Sequence, residues 1–158
     1  MTDIYKRIEA DHKTHRELLE AIAGSQGDFD ERRSLWQRFY YDVKAHAAAE
    51  EETFYSKLME EPDGQQKARH SVHEHQEMDD IMDELNEMDI TSPGWLNRFA
   101  TLKHDYEHHM DEEEDEIFSE ARKVFDSREA ENFATDFERR KQAERALVDE
   151  KSEEKLEA

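Results

Sequence analysis

The chain has 158 residues, 41% of them charged and 35% hydrophobic, with a formal net charge of −21. That length suits one domain with one core, and the acidic excess disfavours both phosphate backbones and anionic membrane surfaces as partners. Cysteine is absent, which excludes disulfides, thiolate zinc sites, iron–sulfur clusters and thiol nucleophiles, so any metal must be held by His and carboxylate.

Four Gly, two Pro and few β-branched runs predict an all-α protein. The first residues, MTDIYKRIEADHK, carry charge throughout and have no apolar segment of the signal-peptide kind. No stretch approaches the roughly 18 apolar residues of a membrane span, and a cytoplasmic protein is expected. Helical spacing of Ile4, Ile8, Leu19 and Ile22 predicts a first helix from Thr2 to about Ala23, ended by Gly24-Ser25-Gln26-Gly27-Asp28. A second is predicted from about Asp30 to Met59, before the turn Glu61-Pro62-Asp63-Gly64. A third spans about Gln65 to Met88. Thr91-Ser92-Pro93, a hydroxyl cap followed by proline, starts a fourth that reaches about Phe125. Four long helices with short connections predict an antiparallel up-down-up-down bundle over residues 1–125. Residues 126–158 form a charged C-terminal helical extension with a thin stripe of Phe133, Phe137, Ala143 and Leu147, docked at its start and fraying after about Val148.

A repeat runs through this bundle. Asp11-His12 recurs as Glu74-His75, and His46-Ala-Ala-Ala-Glu50-Glu51 recurs, at the same offset, as His109-Met-Asp-Glu-Glu113-Glu114. Imidazole and carboxylate bind transition metals together, so two equal half-sets imply a dinuclear site. At about 100° per residue, His12 and His15 fall on the apolar stripe of the first helix. His46 and Glu50, one turn apart, continue the stripe of Phe39, Val43 and Phe54. His75 lies between Val72 and Met82, and His109 and Glu113 align with Phe99, Leu102, Tyr106 and Ile117. His70, His73, His104 and His108 turn outward, and Glu51 and Glu114 are rotated off the inward face. A single inward His is most simply a hydrogen-bonded core residue. Two inward carboxylates without compensation would cost about several kcal/mol each, which favours a metal.

His12, His46/Glu50, His75 and His109/Glu113 together resemble the hemerythrin-like, or HHE cation-binding, family, over about residues 1–125. The resemblance implies two iron ions in the bundle, bridged by Glu50, Glu113 and an oxo or hydroxo group. It also implies a small-molecule ligand, dioxygen, nitric oxide or peroxide, at an open iron position. Oxygen-carrying members use a fifth histidine where this chain has Ser71. His15, whose repeat mate is Met78, is the candidate to replace it, either as a ligand or as a residue packed beside the ligands. Tyr106 faces inward as well, either to donate to a bound ligand or to pack with its hydroxyl satisfied elsewhere. An oxygen carrier or sensor is the expected function. The alternatives are a peroxide-decomposing enzyme of catalase or peroxidase type, an iron buffer or sensor, and a metal-free acidic interaction bundle.

Overall fold

The structure, a computed structural model, describes residues 2–157, and the side chains of residues 2–147. Helix α1 (Ile4–Ala23) starts on Asp3, whose carboxylate accepts the Lys6 backbone N–H at 2.9 Å and so satisfies one of the unpaired donors of the first turn. It ends at Gly24. The following turn passes through Gly27, whose φ of 85° lies in the left-handed region that side chains resist. Asp28 then caps α2 by accepting the Glu31 N–H at 3.0 Å. Helix α2 runs through Phe29–Glu50, one π turn at Glu51–Tyr55, and Ser56–Leu58. Gly64 starts α3 (Gln65–Glu87) where a Cβ would clash with the Leu58 side chain, so any larger residue there would have to displace Leu58 from its packing.

Helix α4 consists of Pro93–Glu112, a second π turn at Glu113–Ile117, and Phe118–Val124. The expected hydroxyl cap is not made. Ser92 Oγ donates to the Asp89 carbonyl at 2.8 Å, and the Asp89 carboxylate accepts the Thr91 N–H at 2.9 Å, so Asp89 shapes this turn. The π turns were not expected either. The first begins just after Glu50 and the second at Glu113, and i→i+5 bonding shifts the phase of the residues beyond. Phe54 and Tyr55 are consequently both buried, as are Ile117 and Phe118.

Helix α5 (Ser127–Glu157) docks against α1 and α2. Its buried stripe is Ala130, Phe133, Ala134, Phe137 and Lys141, spaced three and four apart. Ala143 and Leu147 fall off that stripe and are exposed, contrary to expectation. The expected fraying after Val148 lies outside the residues whose side chains are described.

Two apolar clusters fill the interior. One gathers Ile4, Ile8, Phe54, Leu58 and Phe118 with Phe133 and Phe137 of α5. The other gathers Leu19, Ile22, Trp36, Phe39, Leu85, Trp95, Phe99 and Leu102. Trp95 stacks on Phe99 with ring centroids 5.5 Å apart, and its indole N–H donates to the Leu85 carbonyl at 3.0 Å, so its one polar atom is satisfied. Burying each such side chain contributes roughly 1.5–3 kcal/mol. A buried polar layer made of residues from α1 to α4 lies between the two clusters. Among the described residues there is no strand, and no helix is long and apolar enough to cross a membrane.

Candidate metal centre

His12 of α1, His46 and Glu50 of α2, His75 of α3, and His109 and Glu113 of α4 are all buried in that layer. They form two groups, His12/His46/Glu50/Glu113 and Glu50/His75/His109/Glu113, in each of which the donor atoms lie within 4.8 Å of one another. The two carboxylates belong to both. Glu50 places Oε2 2.9 Å from His46 Nε2 and Oε1 3.2 Å from His75 Nε2. Glu113 places Oε1 2.9 Å from His12 Nε2 and Oε2 3.7 Å from His109 Nε2. Each carboxylate therefore offers one oxygen to each group, the arrangement of a bridging ligand.

The outward nitrogens fix the tautomers. His46 Nδ1 meets Asp11 Oδ2 at 2.6 Å, His75 Nδ1 meets Glu51 Oε1 at 3.0 Å, and His109 Nδ1 meets Glu74 Oε1 at 2.9 Å. An ionised carboxylate only accepts, so these Nδ1 atoms carry a proton, and each Nε2 is left to hold either a second proton or a cation. His12 follows the pattern more loosely, with Nδ1 3.5 Å from Glu114 Oε2, too long for a formed hydrogen bond. The outer acids are the repeat pairs Asp11/Glu74 and Glu51/Glu114, and each serves a histidine of the other motif copy or helix.

Electrostatics follow from this packing. Burial opposes charge on His46, yet Glu50 and Asp11 outweigh it and push its pKa up to about 9. Against the same opposition, Glu50 and Glu51 push His75 up to about 10. Burial also opposes ionisation of Asp11, but His46, Lys141 and Arg7 hold it well below the usual carboxylate range. Glu114 is held down at about 2 by His12 and Arg16 despite its burial.

The inner atoms have a need that the protein does not meet. Both oxygens of Glu50, Oε1 of Glu113 and both nitrogens of His12 are buried without a hydrogen-bond partner. The short contacts to imidazole nitrogen bring acceptors face to face without hydrogen-bond direction, and His75 Nε2 lies 3.2 Å from His109 Nε2. Lone pairs converging in this way are destabilising in an apolar core unless cations, or protons on the rings, lie among them. The donor set of neutral imidazoles and shared carboxylates fits two divalent first-row cations.

His15 is in neither group. Its Nε2 lies 2.6 Å from Asp42 Oδ2 and its Nδ1 2.7 Å from the Tyr106 hydroxyl, so both nitrogens are already engaged. Burial, only partly offset by Asp42, pushes its pKa down to about 4, leaving a neutral ring with the proton on Nε2. Tyr106 then donates its O–H to His15 Nδ1. Ser71 is buried beside Tyr55, whose O–H donates to Glu113 Oε2. His70, His73, His104 and His108 are exposed, and His70 belongs to a third, solvent-facing group with Glu74 and Glu112. Asp11, Glu74, Glu51 and Glu114 were passed over in the search for ligands, although the repeat contains all four. Tyr55 and Lys141 carried no signal of their own in the sequence.

Beside the two groups lies a cavity of about 10 Å³, room for one water-sized guest. Its wall includes His46, His75 and Tyr106 with Val43, Met78 and Met82.

This combination of fold and buried His/Glu layer defines a cation-binding helical domain. The chain belongs to the hemerythrin HHE cation-binding domain family, whose model matches residues 3–121. A crystal structure of a hemerythrin HHE cation-binding domain-containing protein from Mycobacterium kansasii superposes with a TM-score of 0.83 at 20% identity. The superposition covers 93% of this chain and 90% of that one, and establishes a common fold. No curated protein matches the sequence.

Proposed function

We propose that the chain is a non-haem di-iron protein in which α1–α4 run alternately up and down and hold one iron in each group. His12 and His46 serve one ion, His75 and His109 the other, and Glu50 and Glu113 bridge them. The observation that carries this reading is the division of each buried carboxylate between the two groups, with ring nitrogens directed inward by the outer acids. Iron, when bound, supplies redox chemistry and an open coordination position for dioxygen, nitric oxide or peroxide.

The residues around it govern what happens to that guest. Val43, Met78 and Met82 keep the cavity apolar and small, which selects a guest of a few atoms. Tyr106, with its pKa raised well above 10 by burial, keeps its proton and points it at His15. It therefore directs no proton into the cavity. Reversible binding, as in an oxygen carrier or sensor, suits a wall of this kind, because cleaving an O–O bond consumes protons. A second reading, peroxide decomposition, draws on Asp79, which also lines the cavity and whose pKa burial raises.

Metal analysis with optical spectra, recorded before and after reduction and again after exposure to dioxygen, tests the proposal. It predicts about two irons per chain and a spectrum that cycles with oxygen. One iron, or none after anaerobic loading, would overturn the di-iron reading. Sustained release of dioxygen from added peroxide would select the enzyme instead.

A further inference from the structure

Helix α5 lies beyond the residues matched by the family, yet it sends one cation into the centre. Lys141 is 6% exposed and sits on the otherwise apolar stripe by which α5 docks. A leucine there would pack without the desolvation penalty of a buried ammonium, so the lysine is not explained by stability alone. Its Nζ lies 3.0 Å from both oxygens of Asp11 and 3.0 Å from Asp42 Oδ1. Those two carboxylates are the ones that take the outward nitrogens of His46 and His15. Phe137, one turn earlier, sets its ring 5.5 Å from that of His46.

The repeat supplies an internal comparison. Glu74 holds His109 as Asp11 holds His46, but among the described residues no lysine or arginine is paired with Glu74, whose further neighbour is the exposed His70 at 3.6 Å. Glu51, which holds His75, is 38% exposed. One pair of imidazoles is thus anchored through a buried cation and covered by a helix, and the other is anchored to carboxylates that face solvent.

We propose that Lys141 is a positioning residue of the metal centre. By clamping Asp11 to Asp42, it locks His46 with its proton on Nδ1 and its lone pair toward the cation. It also locks His15 as the acceptor for Tyr106. This rests on the two-cation reading for its consequence, that His46 is held more rigidly than its repeat counterpart His109.

The test uses full-length protein loaded with zinc(II) and labelled with nitrogen-15 at histidine, with solvent exchange of each ring N–H followed by NMR. In the unsubstituted protein the His46 and His15 ring protons should exchange more slowly than that of His75. Lys141→Met should speed both by roughly tenfold or more while leaving His75 and His109 unchanged. Arg139→Met, which removes the same charge from an exposed position on the same helix, should change none of them. Unchanged His46 and His15 exchange in Lys141→Met overturns the proposal. So does equal acceleration of all four rings. Should Lys141→Met undock α5, Asp42→Asn decides: it removes one arm of the clamp without touching His46, so acceleration at His46 as well as at His15 supports the role, whereas unchanged His46 exchange overturns it. Zinc counted in the same samples separates the two claims, since fewer than two ions defeats the two-cation reading and the exchange rates still judge Lys141.

Discussion

The two halves of the centre carry the same inner ligands at the same spacing and differ in what stands behind them. Behind His46, Asp11 is gripped by Arg7 at 2.7 Å and by Lys141, under the cover of α5. Behind His109, Glu74 meets only histidines, His70 among them, at a surface that also exposes His108. Arg7 and His70 occupy equivalent positions of the repeat, so a permanent cation on one side has been exchanged for a titratable ring on the other. Duplication accounts for the ligands, and the unduplicated fifth helix accounts for the asymmetry. Among the described residues, Glu50 and Glu113 are the members common to both groups and so tie the two halves together.

Removing a shared carboxylate should therefore be the most damaging change. Glu113→Ala takes one oxygen from each group and leaves both cations short of charge neutralisation. Elemental analysis should find most of both ions lost, whereas His109→Ala should spare the His12/His46 half. Metal content equal to that of a His108→Ala surface control would contradict the bridging assignment.

Proton competition comes next. In metal-free protein the pKa of His46 is raised to about 9 and that of His75 to about 10, from an ordinary 6.5. A raised imidazole pKa stabilises the fold fully below the unfolded value, and that contribution is lost as pH rises through the folded value. Metal-free protein should accordingly melt at progressively lower temperature from about pH 6.5 to pH 10. A bound cation replaces the protons on Nε2, so the loaded protein should resist this loss, and the gap between the two melting temperatures should widen with pH. Parallel melting curves over that range would mean that the raised histidines do not share their nitrogens with the metal.

Smaller effects separate the halves. Glu74→Gln and Asp11→Asn should each weaken cation binding by roughly 10–100-fold, because each exchanges the ionised acceptor that orients a ligand ring for a neutral amide. Only Asp11→Asn should also destabilise the metal-free protein markedly, since it leaves Lys141 buried with one carboxylate partner instead of two. Titration with zinc(II) and thermal melting of both variants check this, and equal metal-free melting temperatures would show that α5 does not distinguish the halves.

The inner cluster could be read from the sequence because the helix wheel works on straight helices: His12 and His75 lie on uninterrupted helices, His46, Glu50 and His109 precede the π turns, and Glu113 stands at the start of one. The wheel correctly turns Glu51 and Glu114 off the inward face, but does not reveal that their side chains reach the outward nitrogens of His75 and His12. Lys141 was invisible for a different reason. Periodicity marks apolar positions, and a lysine on a docking stripe reads as a solvated interruption until the carboxylates it meets on α1 and α2 are known. The same holds for Ala143 and Leu147, whose apolar character suggested docking although their phase excludes it. Ser92 stands at the cap position as expected, but its hydroxyl donates back to the Asp89 carbonyl instead of accepting from the first turn, a choice that residue preferences alone do not rank.

The smallest effect on the metals should come from His15, which lies on the ligand stripe but has no lone pair to spare. Asp42 pins the proton on Nε2, and Tyr106 fills the remaining lone pair on Nδ1. His15→Ala should keep both cations. It should still lower the melting temperature, because the Tyr106 hydroxyl and Asp42 lose a buried partner, a loss of about 1–3 kcal/mol. Freed from His15, the Tyr106 proton could turn toward the cavity, so guest binding should change more than metal content does. Metal analysis beside oxygen or nitric oxide binding measures both quantities. Loss of one ion per chain would make His15 a ligand after all, and would require Asp42 and Tyr106 to release it when the cation binds.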